Sequence, residues 1–204
     1  MKNSDKGLGL KTKKQVVVGV TGLPGSGKST FTSIAKSLGY PVVVMGDFIR
    51  LEAKKRGIKP TAENLSKLMF KVRKEKGEDV LAKLTVKAVK KMDSSIVFID
   101  GVRTLREVEF FKRNLPDFRL IAIYAPEKIR FKRIFKRRKL RVDDVDSWER
   151  FKKRDQNELK IGVGEVMSKA NLTIKNSGSL KRFEAKVKKF LEELNHEILF
   201  KRSS

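Results

Sequence analysis

The stretch "QVVVGVTGLPGSGKSTF", residues 15 to 31, constrains this chain more than any other. A run of β-branched residues breaks into glycines and then into Lys-Ser-Thr, and Gly22 to Ser29 match G-x-x-x-x-G-K-[ST] in full. The match follows a predicted strand and opens "STFTSIAKSLG", whose Phe31, Ile34, Ala35 and Leu38 recur at helical spacing. In a strand, glycine loop and helix of this kind, successive amides converge on an anion and the helix N-terminus adds its positive end. Gly22, Leu23, Pro24, Gly25, Ser26, Gly27, Lys28, Ser29 and Thr30 are therefore expected to cradle the phosphates of ATP. Lys28 would reach the β- and γ-phosphates, and the Ser29 hydroxyl would ligate Mg²⁺.

Four further apolar runs follow: "PVVVM" at 41 to 45, "SIVFID" at 95 to 100, "RLIAIYA" at 119 to 125 and "LTIKN" at 172 to 176. Continuous rather than alternating apolarity suits strands covered on both faces, as in a parallel sheet between helices. The spacers hold crossover helices, so the class is α/β with right-handed connections. At 204 residues the chain is sized for one domain, expected over 15–204 behind a mobile basic tail at 1–14. Two spacers exceed a crossover. Residues 47–94 read as three helical pieces punctuated by Gly57 to Pro60 and Gly77; residues 127 to 170 are densely basic and then acidic. Both excursions leave the C-terminal edge of the sheet, where open α/β sheets bind ligands.

Zero cysteines exclude disulfides and thiolate metal sites, and the lone His196 reads as part of the last helix. No run approaches the roughly 18 apolar residues of a membrane span, and the start lacks the apolar stretch of a signal peptide. A soluble, cytoplasmic protein without a membrane partner is expected. The formal charge of +25 would gather polyanions, so nucleic acid is a candidate partner. Lysine-rich surfaces of heat-adapted proteins are the alternative source of such a charge.

Asp100 closes "SSIVFID" at a strand C-terminus, where a carboxylate holds Mg²⁺ directly or through water. Its alternative is to cap the helix that starts near Leu105. "GDFIR" places Asp47 and Arg50 after the second strand, and "DGVR" places Arg103 after the third. Two arginines on neighbouring strand ends form a fork matched to a phosphate or phosphomonoester. Asp47 is either the carboxylate that takes a proton from a hydroxyl acceptor or the N-cap of "FIRLEAKKR".

With these motifs the chain resembles the P-loop small-molecule kinases of the adenylate kinase and dephospho-CoA kinase type. Within that group it is most similar to an archaeal family of adenylate-kinase-related proteins, from about Gln15 to Leu194. The resemblance implies a five-stranded parallel core with helices on both faces, an acceptor-binding helical insertion at about 47–94 and a helical lid at about 127–160. It implies that Arg50 and Arg103 contact the acceptor, and that "NSGSL", with Ser177 and Gly178, lies against the adenine ring. It also implies lid arginines that close over the transferring phosphoryl group. Arg133, Arg137, Arg138, Arg141, Arg150 and Arg154 are the candidates, with Arg138 and Arg141 assigned the catalytic role; a solvated helix face is the alternative for most. Trp148 and Phe151 are expected to dock the lid helix. Gly162 and Gly164 mark a helix boundary or a hinge.

The lid lacks a four-cysteine zinc knuckle, "GDFIR" looks like adenylate kinase, and the tail from Ala170 looks like dephospho-CoA kinase. The reading is a phosphotransferase moving the γ-phosphoryl of Mg-ATP to a small phosphorylated acceptor, a nucleoside monophosphate ahead of a dephospho-coenzyme. An ATP-responsive RNA-binding or assembly factor is the alternative on the same scaffold, and a plain ATPase a third.

Overall fold

The computed structural model describes residues 15–138 and 145–203, with side chains to Phe200. The basic tail at 1–14 and Arg141 lie outside the described residues. Five parallel strands form one sheet in the order β2-β3-β1-β4-β5. They are β1 (Val16–Thr21), β2 (Val42–Val44), β3 (Ile96–Asp100), β4 (Asp117–Tyr124) and β5 (Leu172–Lys175), one for each apolar run of the sequence.

β1 is central because it is buried over its whole length, as a strand flanked on both edges and both faces must be. Its alternate side chains feed two cores. Val16, Val18 and Val20 pack with Phe31 and Ala35 of α1 (Lys28–Ser37) and with Phe183, Val187 and Leu191 of α9 (Leu180–Ser203). Val17 faces the other side, with the insertion helices α2 (Met45–Lys55), α3 (Ala62–Lys76) and α4 (Val80–Val89), and with α5 (Leu105–Asn114) and α8 (Val163–Ser168). The remaining helices, α6 (Glu127–Arg137) and α7 (Trp148–Ile161), make up most of the stretch expected as a lid at about 127–160.

The three helical pieces of the insertion are present, separated where Gly57 and Gly77 adopt positive φ. The start of α2 corrects one expectation. The helix begins at Met45 with Val44 as N-cap, so Asp47 sits inside the first turn and is not the cap. Met45, Ile49 and Ala53, spaced by four, are all buried, and their common face draws the helix back over Gly46. The capping alternative for Asp100 also fails. Gly101, at φ 97°, turns the chain, and Thr104 caps α5 in a reciprocal capping box with Glu107.

Phe131 of α6 meets Trp148 and Phe151 of α7 at ring separations of 5.0 and 5.5 Å, so both aromatics dock the lid helices as expected. Gly162, at φ 116°, ends α7 and opens α8, a helix boundary.

Candidate active site

The glycine loop is fixed from behind through its carbonyls. Arg130 Nη1 donates to Pro24 O (3.2 Å), and Asn176 Nδ2 donates to Ser26 O (2.8 Å). Arg133 adds a third tie, from Nη2 to the carbonyl and the side-chain Oδ1 of Asn176 (3.1 and 2.9 Å), with Nη1 near Gly25 O and Ser26 O. In a trans peptide the N–H points away from its C=O, so holding these carbonyls turns the amides of Gly25 and Gly27 to the opposite side. A Cβ on Gly25 would come within 2.7 Å of Arg130 O, and one on Gly27 would collide with Asn176 Nδ2. Both residues have positive φ, so glycine is required there on two grounds.

The helix that follows is left open for an anion. α1 has no side-chain cap and no acid in its first turn. Its amides before Phe31, whose N–H is the first to close back on Gly27 O, have no intrahelical acceptor. α3, α5 and α7 are capped by Thr61, Thr104 and Ser147, whereas α2, α4, α6 and α8 share the lack of a side-chain cap with α1.

Lys28 folds back to donate to Gly22 O and Leu23 O, spanning the loop mouth. Burial in this crowded floor pushes its ammonium down to about 8, with Arg103 and Arg154 adding to the fall while Asp100 and Glu158 oppose it. Ser29 and Asp100 line the same cavity as Lys28, of about 780 Å³. Asp100 pairs in register with Val20 at the end of the central strand, which sets its carboxylate beside the loop. Such a pair of oxygen ligands fits Mg²⁺, which is held by few protein groups and completed by phosphate and water. The open helix end, the outward amides and this carboxylate together fit Mg-ATP.

A second cavity, of about 730 Å³, lies between α2, α3 and α7. Gly46, Arg50, Arg103, Arg154 and Glu158 line both cavities, so the two meet at a throat dominated by arginine. Arg50 donates to Asp47 Oδ1 (2.8 Å). Arg103 donates through Nε to Glu158 Oε2 (3.1 Å) and through Nη1 to Gly101 O (3.2 Å). Glu158 holds the Arg103 guanidinium in its charged form. Burial alone would raise the Glu158 carboxyl, but Arg103, Lys28 and Arg154 outweigh it and keep it below the usual carboxylate range.

Asp47, Arg50, Arg103, Arg133, Arg137 and Arg154 all line the phosphate cavity with the loop, as does Gly178. Arg150 lines the second cavity and pairs with Asp146. Arg138 is turned away: its guanidinium lies 3.8 Å from the Phe135 ring centroid and donates to Phe135 O.

Three groups escaped the sequence reading. Glu158 has no local signature. Arg130 and Asp155 form a buried pair (2.7 Å for Nη2 to Oδ2) that joins α6 to α7 and, through Pro24, to the loop. Glu107 accepts the amides of Arg103 (2.8 Å) and Thr104 (3.2 Å) on one oxygen and Arg73 Nη2 (2.7 Å) on the other. That buried carboxylate ties α3 to the turn carrying Arg103. The sequence did offer a signal for it, since Thr104-x-x-Glu107 is a capping-box pattern.

Sheet, loop and paired cavities define a P-loop kinase-like fold. Solved structures agree: TT1252 from Thermus thermophilus aligns with a TM-score of 0.62 at 24% identity, over 89% of this chain and 99% of that one. Shikimate kinase from Acinetobacter baumannii aligns at 0.56 and 18% identity (91% and 96%), and a gluconokinase from Sinorhizobium meliloti at 0.54 and 15% (93% and 98%). The family profile described as "AAA domain" matches residues 21–152. A UPF0200 protein of Hyperthermus butylicus is 44% identical over 88% of this chain and 95% of its own. One from Methanoregula boonei is 44% identical over 89% and 98%. The chain belongs to this UPF0200 family of archaeal relatives and, through residues 21–152, to the AAA-domain family.

Proposed function

We propose that the protein is a phosphotransferase that moves the γ-phosphoryl of Mg-ATP to a small phosphorylated acceptor, with a nucleoside monophosphate favoured over a dephospho-coenzyme. The observation that carries this reading is the throat: Arg50, Arg103 and Arg154 line the phosphate cavity and the second cavity alike. Guanidinium forks are matched to phosphate oxygens on either side of a transfer. The neighbours named shikimate kinase and gluconokinase support the same class of chemistry, acting by name on small-molecule acceptors.

In this reading the loop amides and Lys28 hold the β- and γ-phosphates, and Ser29 and Asp100 hold Mg²⁺, which neutralises phosphate charge. Ser177 and Gly178 lie against the adenine. An oxygen of the acceptor phosphate attacks the γ-phosphorus in line, the bond to the β–γ bridging oxygen breaks, and ADP leaves. The acceptor phosphate is already ionised, so no base is needed, and Asp47 orients Arg50 through their ion pair. A hydroxyl acceptor would use Asp47 as base instead. Of the six lid candidates, Arg137 and Arg154 line the phosphate cavity beside the loop and in this reading offset charge on the transferring group. No helix among the described residues is long and apolar enough to cross a membrane, and a cytoplasmic site of action suits these substrates.

The test is ATP consumption with Mg²⁺ against nucleoside monophosphates, dephospho-CoA and short RNA, at low and moderate salt. Stimulation by one small acceptor, with ADP and phosphorylated acceptor formed in equal amounts, is expected. Stimulation by RNA alone would overturn the reading in favour of an RNA-responsive ATPase. Arg50→Ala should raise the acceptor KM well above any change in the ATP KM.

A further inference from the structure

The lining of the second cavity carries more information than its arginines. Away from the throat its walls are mixed: Ile49 of α2, Leu65, Met69 and Phe70 of α3, Leu81 of α4 and Ile161 of α7 form an apolar part, and the charged Glu63, Lys67, Arg150 and Lys153 line the rest. Its neutral side chains able to exchange hydrogen bonds are few: Thr61, Ser66 and Asn157. Hydroxyls of a polyol or hydroxy acid that faced the apolar part would be left unsatisfied, at a cost in affinity. A flat ring with apolar faces would not.

Phe70 is the side chain that such a ring would meet. It is 56% exposed although it belongs to a helix whose Leu68, Met69 and Val72 are buried in the core. It is also one of the cavity-lining residues. Ala62 and Ser66, eight and four residues earlier, line the same cavity and lie on the same stripe of α3. A long helical side chain leans over the turn N-terminal to its own Cα, here the turn of Ser66. The small residues along this stripe leave room beside the phenyl face for a planar group.

We propose that Phe70 is a specificity-determining residue that stacks on the nucleobase of the acceptor, so that the acceptor is selected as a ring-bearing nucleotide with its phosphate in the arginine throat. The proposal rests on the reading that this cavity is the acceptor site. Stacking on a phenyl face tolerates any base, because every base has a π-face. Purine and pyrimidine monophosphates are therefore both accepted, with a preference set by ring area.

The test compares AMP, UMP and ribose 5-phosphate, the last being the same sugar phosphate without a base. Each is titrated calorimetrically into the full chain with Mg²⁺ and a saturating non-hydrolysable ATP analogue, which keeps the probes out of the phosphate cavity. Wild type is expected to bind AMP about 5- to 150-fold more tightly than ribose 5-phosphate, the range of base–aromatic stacking. Phe70→Ala should bring AMP down to the ribose 5-phosphate level and leave ribose 5-phosphate itself unchanged. Phe70→Trp should restore the difference, a rescue that a merely structural role would not give. Equal binding of AMP and ribose 5-phosphate by wild type, no binding of AMP beside an intact ATP site, or an unchanged ratio in Phe70→Ala would each overturn the proposal. Phe70-dependent AMP binding without phosphoryl transfer would leave the ring site standing and overturn the phosphotransferase reading alone.

Discussion

The two cavities that meet at the throat are held by different means. The phosphate side is built of consecutive backbone, its carbonyls tied from behind and its helix left uncapped. The side of the second cavity is held by side chains that the fold brings together over 34 residues for Arg73 and Glu107, and 55 for Arg103 and Glu158. A backbone cradle presents the same amides whatever approaches it. A throat of paired charges depends on each partner. Substitution of a loop residue should therefore cost chemistry, whereas substitution in a buried charge pair, whether behind the loop or around the throat, should cost geometry and stability.

Four measurements would break or sharpen this contrast. Asp155→Ala should act most strongly, because it leaves Arg130 as an uncompensated buried charge beneath both the loop and α7. A loss of about 3–5 kcal/mol in urea unfolding is expected. Lys28→Ala should do the reverse, lowering kcat by about 10²–10³-fold with no loss of unfolding stability, since the buried ammonium serves the phosphates and not the core. A stability loss matching that of Asp155→Ala would erase the contrast. Glu107→Gln should fall between. Glutamine retains the capping box of α5 but removes the charge facing Arg73, so about 1–3 kcal/mol of stability should go, with a rise in acceptor KM and little change in ATP affinity.

The last measurement is a pH dependence with two opposite signs. Lys28 titrates at about 8 in the folded chain against an ordinary 10.5. Between those values the unfolded chain binds more protons, so the stability of the nucleotide-free protein should rise with pH over that window. ATP binding needs the protonated ammonium, so its affinity should fall as pH passes 8, by at most about tenfold per unit for one linked proton. Lys28→Met should abolish both trends, and their persistence would move the linkage to another group.

The same division explains what could be read from the sequence. β1 and β3 followed from their apolar runs because a strand covered on both faces has little room for a polar residue; β5, exposed at Leu172, Thr173 and Lys175, matched its run without that cover. The loop followed because its function is a local backbone shape that needs glycine at fixed intervals. The ion pairs did not follow, because nothing near Arg130 in the chain distinguishes it from Arg133 or Arg137 until Asp155 is folded against it. Where local rules competed with burial, burial decided: Asp47 has a good capping side chain, yet the buried face of Met45 and Ile49 carried the helix past it. Arg138 lost its assigned place for a related reason, drawn onto Phe135 at the end of α6.

The hydrogen bond from Asn176 to Ser26 joins residues 150 positions apart. A ribosome adding roughly 5–20 residues per second needs about 8–30 s to travel that far. The cradle's glycine loop is thus synthesised well before its ties are complete, waiting for the strand and helix that close the sheet. A nascent chain that has not reached Asn176 carries the phosphate motif without one of the groups that pin it, so the cradle is completed only after β5 has been made.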